Sequence, residues 1–220
     1  MVVSQIIGVV FVALAVGYLF GCFSTGTFVG KYHHIDLKKV GSGNSGTTNA
    51  LRTMGWKAAL ITFLGDVLKA LIPVLGFRLI LPHFGMEADW VYFCALCCGL
   101  GVVLGHNFPF WMDFKGGKGI AVTAAVILSV ADWPVMAVGL TLFILIVAVS
   151  RYVSLGSLMV VWLLPVNTIL FHGKDSLFVP MLIVSLLFTL LGYVRHKDNI
   201  VRLLHGNERK LWGDHKEEEK

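Results

Sequence analysis

The sequence predicts an all-α integral membrane protein: a seven-transmembrane-helix bundle with its N-terminus outside and its C-terminus cytoplasmic. Three observations carry that expectation. Hydrophobic residues fill 56% of the 220 positions and charged residues only 14%, where a soluble domain carries roughly a quarter charged; the mean hydropathy is +0.78. The apolar residues come in runs close to the roughly 20 that a helix needs to cross about 30 Å of hydrocarbon, without the alternation over about ten residues that marks barrel strands. The cations gather on one set of connecting loops.

The first run, 4–29, has no basic n-region and no A-x-A cleavage site, so it is read as a retained helix rather than a removed signal peptide. The second and third are 57–80 and 90–112. Asp66 and Lys69 lie inside the second, three residues apart, where they can neutralise each other or serve a function. Cys94, Cys97 and Cys98 lie inside the third, with Cys22 in the first. With no His at finger-like spacing they are read as small packing residues, neither metal ligands nor a disulfide framework. The fourth run, 118–131, is too short for a full crossing unless the bilayer thins or the helix lies beside protein. The fifth, sixth and seventh are 134–150, 153–171 and 176–194.

One membrane domain, 1–220, results, with cytoplasmic loops at about 30–56, 113–118 and 150–153 and a tail from 195 to 220. Those segments hold Lys31, Lys38, Lys39, Arg52, Lys57, Lys115, Lys118, Arg151, Arg195, Lys197, Arg202, Arg209, Lys210, Lys216 and Lys220, fifteen of the eighteen Lys and Arg. The opposite loops hold Glu87, Asp89, Asp132, Asp175 and Lys174, and the positive-inside rule sets the orientation. The pI of 9.1 reflects these juxtamembrane cations. No soluble domain interleaves basic and aromatic residues, so no nucleic-acid surface is expected. In the tail, Ile200, Leu203, Leu204 and Leu211 suit an interfacial helix with Arg202 and Lys210 facing headgroups, and the final HKEEEK reads as solvated and disordered.

The 30–56 loop exceeds an ordinary helix–helix connection, which favours a functional segment. It contains Gly41-Ser42-Gly43-Asn44-Ser45-Gly46 and then Arg52, a backbone able to aim N–H groups at an anion with a cation to clamp it. The bland alternative is a turn capping the next helix through Thr47 or Thr48. A second cluster joins Gly105-His106-Asn107-Phe108-Pro109 to Lys115-Gly116-Gly117-Lys118-Gly119, where Lys118 and a helix N-terminus can meet one anion, or simply anchor a tight turn. Neither is a Walker A loop: no Lys-Ser/Thr follows Gly46, and Gly119 follows Lys118. Tyr152-Val153-Ser154-Leu155-Gly156-Ser157 beside Arg151 is weak alone, since Ser in a membrane helix usually bonds its own i−4 carbonyl. Last come His196 and Asn199, which share a face if helical, with Arg202, Gly206 and Glu208 downstream. All four clusters fall on the cytoplasmic face, which favours a phosphate-bearing ligand handled at the membrane surface.

These blocks, in this order, resemble the bacterial acyl-phosphate:glycerol-3-phosphate acyltransferases, the PlsY family. The matching stretches are VGSGNSGTTNALR with GDVLKALIPV, LGHNFPFWMDFKGGKGIAVT, RYVSLGSL and RHKDNIVRLLHGNE, with Tyr18–Gly21 and Lys38–Val40 ahead of them, covering nearly the whole chain. The resemblance implies transfer of an acyl group from acyl phosphate to the 1-hydroxyl of glycerol 3-phosphate, giving lysophosphatidic acid and phosphate, with no cofactor, metal, nucleotide or acyl-CoA. It implies a catalytic set of Ser42, Arg52, Lys118 and His196, and phosphate binding by Gly41, Ser42, Gly43, Asn44, Arg52, Gly117, Lys118, Ser154, His196 and Asn199. His106, Arg202 and Glu208 fall in the matching motifs as weaker candidates. The implied partners are both substrates, the lipid bilayer and an enzyme that produces acyl phosphate, and the implied location is the bacterial cytoplasmic (inner) membrane. Two departures stand out: Ser45 and Thr47 replace the family's usual Pro and Ala, and Cys22-Phe23-Ser24-Thr25 lacks its Pro, which predicts a less rigid first loop. An organic-phosphate transporter, using the same cations, is the rival reading; it sits poorly with cations on one face, because transporter sites lie near the midplane between repeats.

Overall fold

A computed structural model describes residues 3–212. Among them the chain forms eleven α-helices and no strand: α1 Val3–Gly21, α2 Thr25–Tyr32, α3 Thr47–Met54, α4 Trp56–Ile80, α5 Ala88–Asn107, α6 Ile120–Val130, α7 Trp133–Ser150, α8 Val153–Val160, α9 Leu163–Phe171, α10 Phe178–Arg195 and α11 Lys197–Leu204. Six segments are long and apolar enough to cross a bilayer, those built on α1–α2, α4, α5, α7, α8–α9 and α10. The helix in the fourth predicted span, α6, has 11 residues and falls short of that length. Large side chains such as Phe11, Leu19, Leu140 and Val149 are exposed on the outside of the bundle, where hydrocarbon rather than water would solvate them. The final HKEEEK lies outside the described residues.

The core is built around α5, which is buried along most of its length. Its neighbour α1 comes backbone to backbone: a Cβ on Gly17 or Gly21 would overlap the carbonyls of Cys98 and Val102, and one on Gly101 or Gly105 those of Leu14 and Tyr18. These are paired small-xxx-small faces, which let two helices approach where lipid supplies no hydrophobic drive. All four cysteines are free and buried, as the packing reading requires.

Two predicted spans are broken, and each break has its carbonyls satisfied. Between α1 and α2, Trp111 Nε1 donates to Cys22 O at 2.8 Å and Lys69 Nζ to Phe23 O at 2.7 Å. Between α8 and α9, Thr189 Oγ1 donates to Val161 O at 2.7 Å. In hydrocarbon an unmade bond costs several kcal/mol, so a break survives only where neighbouring helices supply donors. The third predicted span also stops early, with α5 ending at Asn107 and a 3-10 turn at Phe110–Met112.

Two groups of polar bonds mark the ends of the bundle. At one, Asp89 accepts from Ser176, Asp132 N–H donates to Asn167, His172 lies 2.7 Å from Asp175, and Arg78 reaches Ser129 O. At the other lie the glycine-rich loops and the tail.

Candidate functional site

The first loop is organised by Asn49, which is 2% exposed. The two N–H groups of its Nδ2 are shared among the carbonyls of Leu37, Val40 and Asn44 at 2.9 to 3.1 Å, and its Oδ1 accepts Ser42 N–H at 2.8 Å. The N–H of Gly43 goes to Val40 O, and that of Gly46 to Asn44 Oδ1 at 2.9 Å. Three amides expected to face an anion are therefore spent inside the loop. What Ser42 offers outward is its exposed hydroxyl, and Asn44 serves as a turn former. Gly41 and Gly43 have φ of 59° and 70°, the left-handed region that glycine enters without strain. Helix α3 starts on Gly46 with no side-chain cap, so neither Thr47 nor Thr48 is the cap. Where Ser45 and Thr47 stand in place of the family's usual Pro and Ala, Asn49 bonds the loop internally and Ser45 O packs where a Cβ of Gly26 would be.

The second loop is gripped from both sides. Gly116 N–H donates to Asn107 O and Gly117 N–H to His106 O, both at 3.0 Å. From the other side Arg195 donates through Nε to Gly117 O at 3.0 Å and through Nη2 to Gly116 O at 2.8 Å, with its guanidinium 5.3 Å from the centre of the Phe108 ring. This grip holds the next residue, Lys118, whose ammonium donates to Asn199 Oδ1. Asn199 donates to Glu208 Oε1 at 2.6 Å, and Glu208 Oε2 accepts from Arg202 Nε at 2.8 Å. Arg202, expected to face headgroups, is thus an ion-pair partner that neutralises a nearly buried carboxylate. Burial pushes Lys118 down to about 8, with Glu208 working against the shift and Arg202 adding to it.

His196 caps α10 and is 3% exposed. Its Nδ1 lies 2.8 Å from Gly192 O. A carbonyl only accepts, so the proton sits on Nδ1 and the lone pair on Nε2. Burial pushes the imidazole down to about 4, against the Gly192 bond and helped by Lys118, so it is neutral at pH 7. Ser154 and Ser157 part company. Ser157 Oγ bonds its own Val153 O at 2.8 Å, whereas Ser154 Oγ is buried with no partner among the described residues.

The tail connects these groups. Arg52 Nη2 donates to Lys210 O at 3.1 Å and to Arg209 O at 3.4 Å, and Leu211 N–H donates to Arg151 O at 2.8 Å. Residues 208–211 therefore touch the Arg52 helix, the Lys118–Asn199 pair and the segment leading to Ser154. Of the predicted residues, Arg52, Lys118, Asn199, Arg202 and Glu208 join one network, with His196 beside it. Ser42 and its glycines lie on the loop ahead of Arg52. His106 sits beneath Gly117. The sequence reading took Arg195 only as a juxtamembrane cation and Asn49 only as a neutral donor of the first loop. A lone arginine at a helix end carries no sign of a two-carbonyl grip, and an asparagine in a polar loop none of its four bonds. The arrangement suits a ligand with more than one anionic group: it brings together Arg52 and Lys118, the Ser154 hydroxyl and an imidazole lone pair, with Glu208 neutralised by Arg202.

The family model described as "Glycerol-3-phosphate acyltransferase" matches residues 11–206. A protein of Clostridioides difficile named glycerol-3-phosphate acyltransferase is 40% identical over 198 residues, covering 89% of this chain and 92% of its own. The crystal structure of PlsY (YgiH), an integral membrane glycerol 3-phosphate acyltransferase, in its glycerol 3-phosphate form aligns with a TM-score of 0.76 at 32% identity, over 95% of this chain and 96% of that one. Its lysophosphatidic acid form aligns at 0.74 and 31%, over 91% and 94%.

Proposed function

The chain belongs to the glycerol-3-phosphate acyltransferase family and is a membrane acyltransferase, and from that premise we propose that it acylates the 1-hydroxyl of glycerol 3-phosphate from acyl phosphate, releasing lysophosphatidic acid and inorganic phosphate. The observation that carries this reading is the pairing of two cations, Arg52 and Lys118, across residues 208–210. Both substrates bring a phosphate, and two nearby anions need two cations to lie close enough to react. The transporter alternative falls with membership in an acyltransferase family.

The hydroxyl oxygen attacks the acyl carbonyl carbon, the carbon–oxygen bond to phosphate breaks, and phosphate leaves with the electron pair. Arg52 and Lys118 hold the charge that gathers on the leaving group. The hydroxyl proton needs an acceptor. His196 presents a lone pair on Nε2, but at about 4 it is a weaker base than a phosphate monoester dianion, whose second pKa is about 6. The proton of the attacking 1-hydroxyl therefore passes to a substrate phosphate oxygen, and His196 Nε2 accepts a hydrogen bond from the neighbouring 2-hydroxyl, which orients the glycerol. Ser42 and Ser154 hydroxyls donate to phosphate, and Gly41, Gly43, Asn44 and Gly117 shape the two loops.

The same proposal covers topology. The chain is one domain, with α6 as a short seventh span beside protein, the active site on the cytoplasmic face of the bacterial inner membrane, and an enzyme that makes acyl phosphate as supplier. The test is phosphate release from palmitoyl phosphate by purified protein, with and without glycerol 3-phosphate, beside palmitoyl-CoA. Release that depends on glycerol 3-phosphate, forms lysophosphatidic acid and ignores the CoA ester is expected. Equal use of the CoA ester would overturn the choice of donor.

A further inference from the structure

One buried charged cluster has no part in the chemistry above. Lys69 Nζ lies 2.8 Å from Asp66 Oδ1, 2.7 Å from Phe23 O and 2.8 Å from His106 Nδ1. An ammonium has three N–H groups and no lone pair, so three acceptors use it fully and His106 Nδ1 must be one of them. The ring proton then sits on Nε2. That nitrogen occupies the place where a Cβ of Gly117 would be, and His106 O accepts Gly117 N–H at 3.0 Å. His106 is 7% exposed, and its only side-chain hydrogen bond among the described residues is the one through Nδ1. Nε2 is not sealed among the protein's fully buried unpaired atoms, so a ligand beside Gly117 can complete it as an acceptor. The residue after Gly117 is Lys118.

We propose that Asp66 and Lys69 are positioning residues that fix the tautomer and seat of His106, whose Nε2–H donates to the substrate phosphate held by Lys118. The proposal rests on the acyltransferase reading. A self-neutralising ion pair does not account for the cluster, because a buried pair is commonly replaced by apolar side chains without loss. An apolar replacement would lose the bond to His106, which is the one that reaches the site.

Two sets of variants test it. His106→Gln keeps a nitrogen donor near the Nε2 position, whereas His106→Asn stops near Nδ1. The double variant Asp66→Asn/Lys69→Met removes both charges together and leaves similar volumes. For each purified protein, kcat and both KM values are measured beside the thermal midpoint. His106→Gln is expected to stay within about threefold of wild type. His106→Asn and the double variant are expected to raise the KM of the substrate against Lys118 by about 10- to 100-fold, with kcat changed by about threefold or less. A purely structural role would instead reduce the active fraction, lowering kcat at unchanged KM, and would treat Gln and Asn alike; either result overturns the proposal. So does a double variant that is folded and fully active. If wild type itself released no phosphate, the acyltransferase reading would be at fault. Calorimetric binding of glycerol 3-phosphate and of acyl phosphate to the same variants would then decide the donor's role.

Discussion

At the residue scale the site depends on the protonation of Lys118. Burial holds it near 8 against an ordinary 10.5, so in the empty enzyme its charge is lost within the working range of many assays. Between those two values the unfolded chain binds more protons than the folded one, so this lysine's contribution to stability rises with pH through that window. Binding runs the other way, because a phosphate dianion beside the amine favours the charged form. Substrate binding should therefore take up a proton above pH 8, and kcat/KM should fall above about 8, by up to about tenfold per pH unit. A pH profile checks this, and in Lys118→Arg, which stays charged, the alkaline fall should vanish at whatever activity remains. The two serines give a second check. Ser154→Ala should lower kcat/KM by about 10- to 100-fold, the worth of a hydrogen bond to a charged group. Ser157→Ala should leave it unchanged, because that hydroxyl is spent on Val153 O. Spacing put the two serines on equal footing, and the resemblance singled out Ser154; the bond each makes gives the physical reason.

At the scale of elements, what was legible was what hydropathy and charge encode. The spans at α4, α7 and α10 fall within two residues of expectation, and Lys118, His196 and Asn199 were placed on one face by composition and spacing. The breaks at Cys22–Ser24 and Val161–Trp162 were not legible, because hydropathy does not record a helix that opens where Lys69, Trp111 and Thr189 close its carbonyls. Nor was it legible that the glycine-rich loop spends its amides within itself, on Asn49, Val40 and Asn44. The α1–α5 contact was written in the chain as Gly17-xxx-Gly21 and Gly101-xxx-Gly105, a pattern that becomes specific only once the two helices are paired. That contact yields its own expectation. Gly101→Ala sets a Cβ against Leu14 O and should cost about 1–3 kcal/mol, as overpacking does. Gly76→Ala, whose Cβ meets nothing within 4 Å, should be neutral or stabilise by up to about 1 kcal/mol. Thermal midpoints in one detergent, measured side by side, decide it. Equal losses would mean that α1 and α5 can part at little cost.

At the scale of the whole molecule, two polar ends are separated by an apolar waist, and they differ in kind. The end with the loops and tail is cationic and holds Arg52, Lys118, His196 and Ser154. The other pairs its polar groups largely with one another, through Asp89–Ser176, Asp132–Asn167 and His172–Asp175. An acyl donor is amphipathic, so the chemistry belongs where the apolar waist meets the cationic rim. Glycerol 3-phosphate is a cytoplasmic metabolite in this reading, and the rim must face that compartment, which is the side positive-inside reasoning also selects. The expectation is reached from charge and from chemistry independently, so a topology test bears on both. All four native cysteines are buried, so a cysteine introduced on the surface can be read above a low background. Lys39→Cys, at a side chain 83% exposed beside the first loop, should react with a membrane-impermeant maleimide only after cells are opened. Lys174→Cys, exposed at the opposite end, should react in intact cells. The reverse pattern would place the phosphate site outside, away from its substrate, and the proposed reaction could not stand.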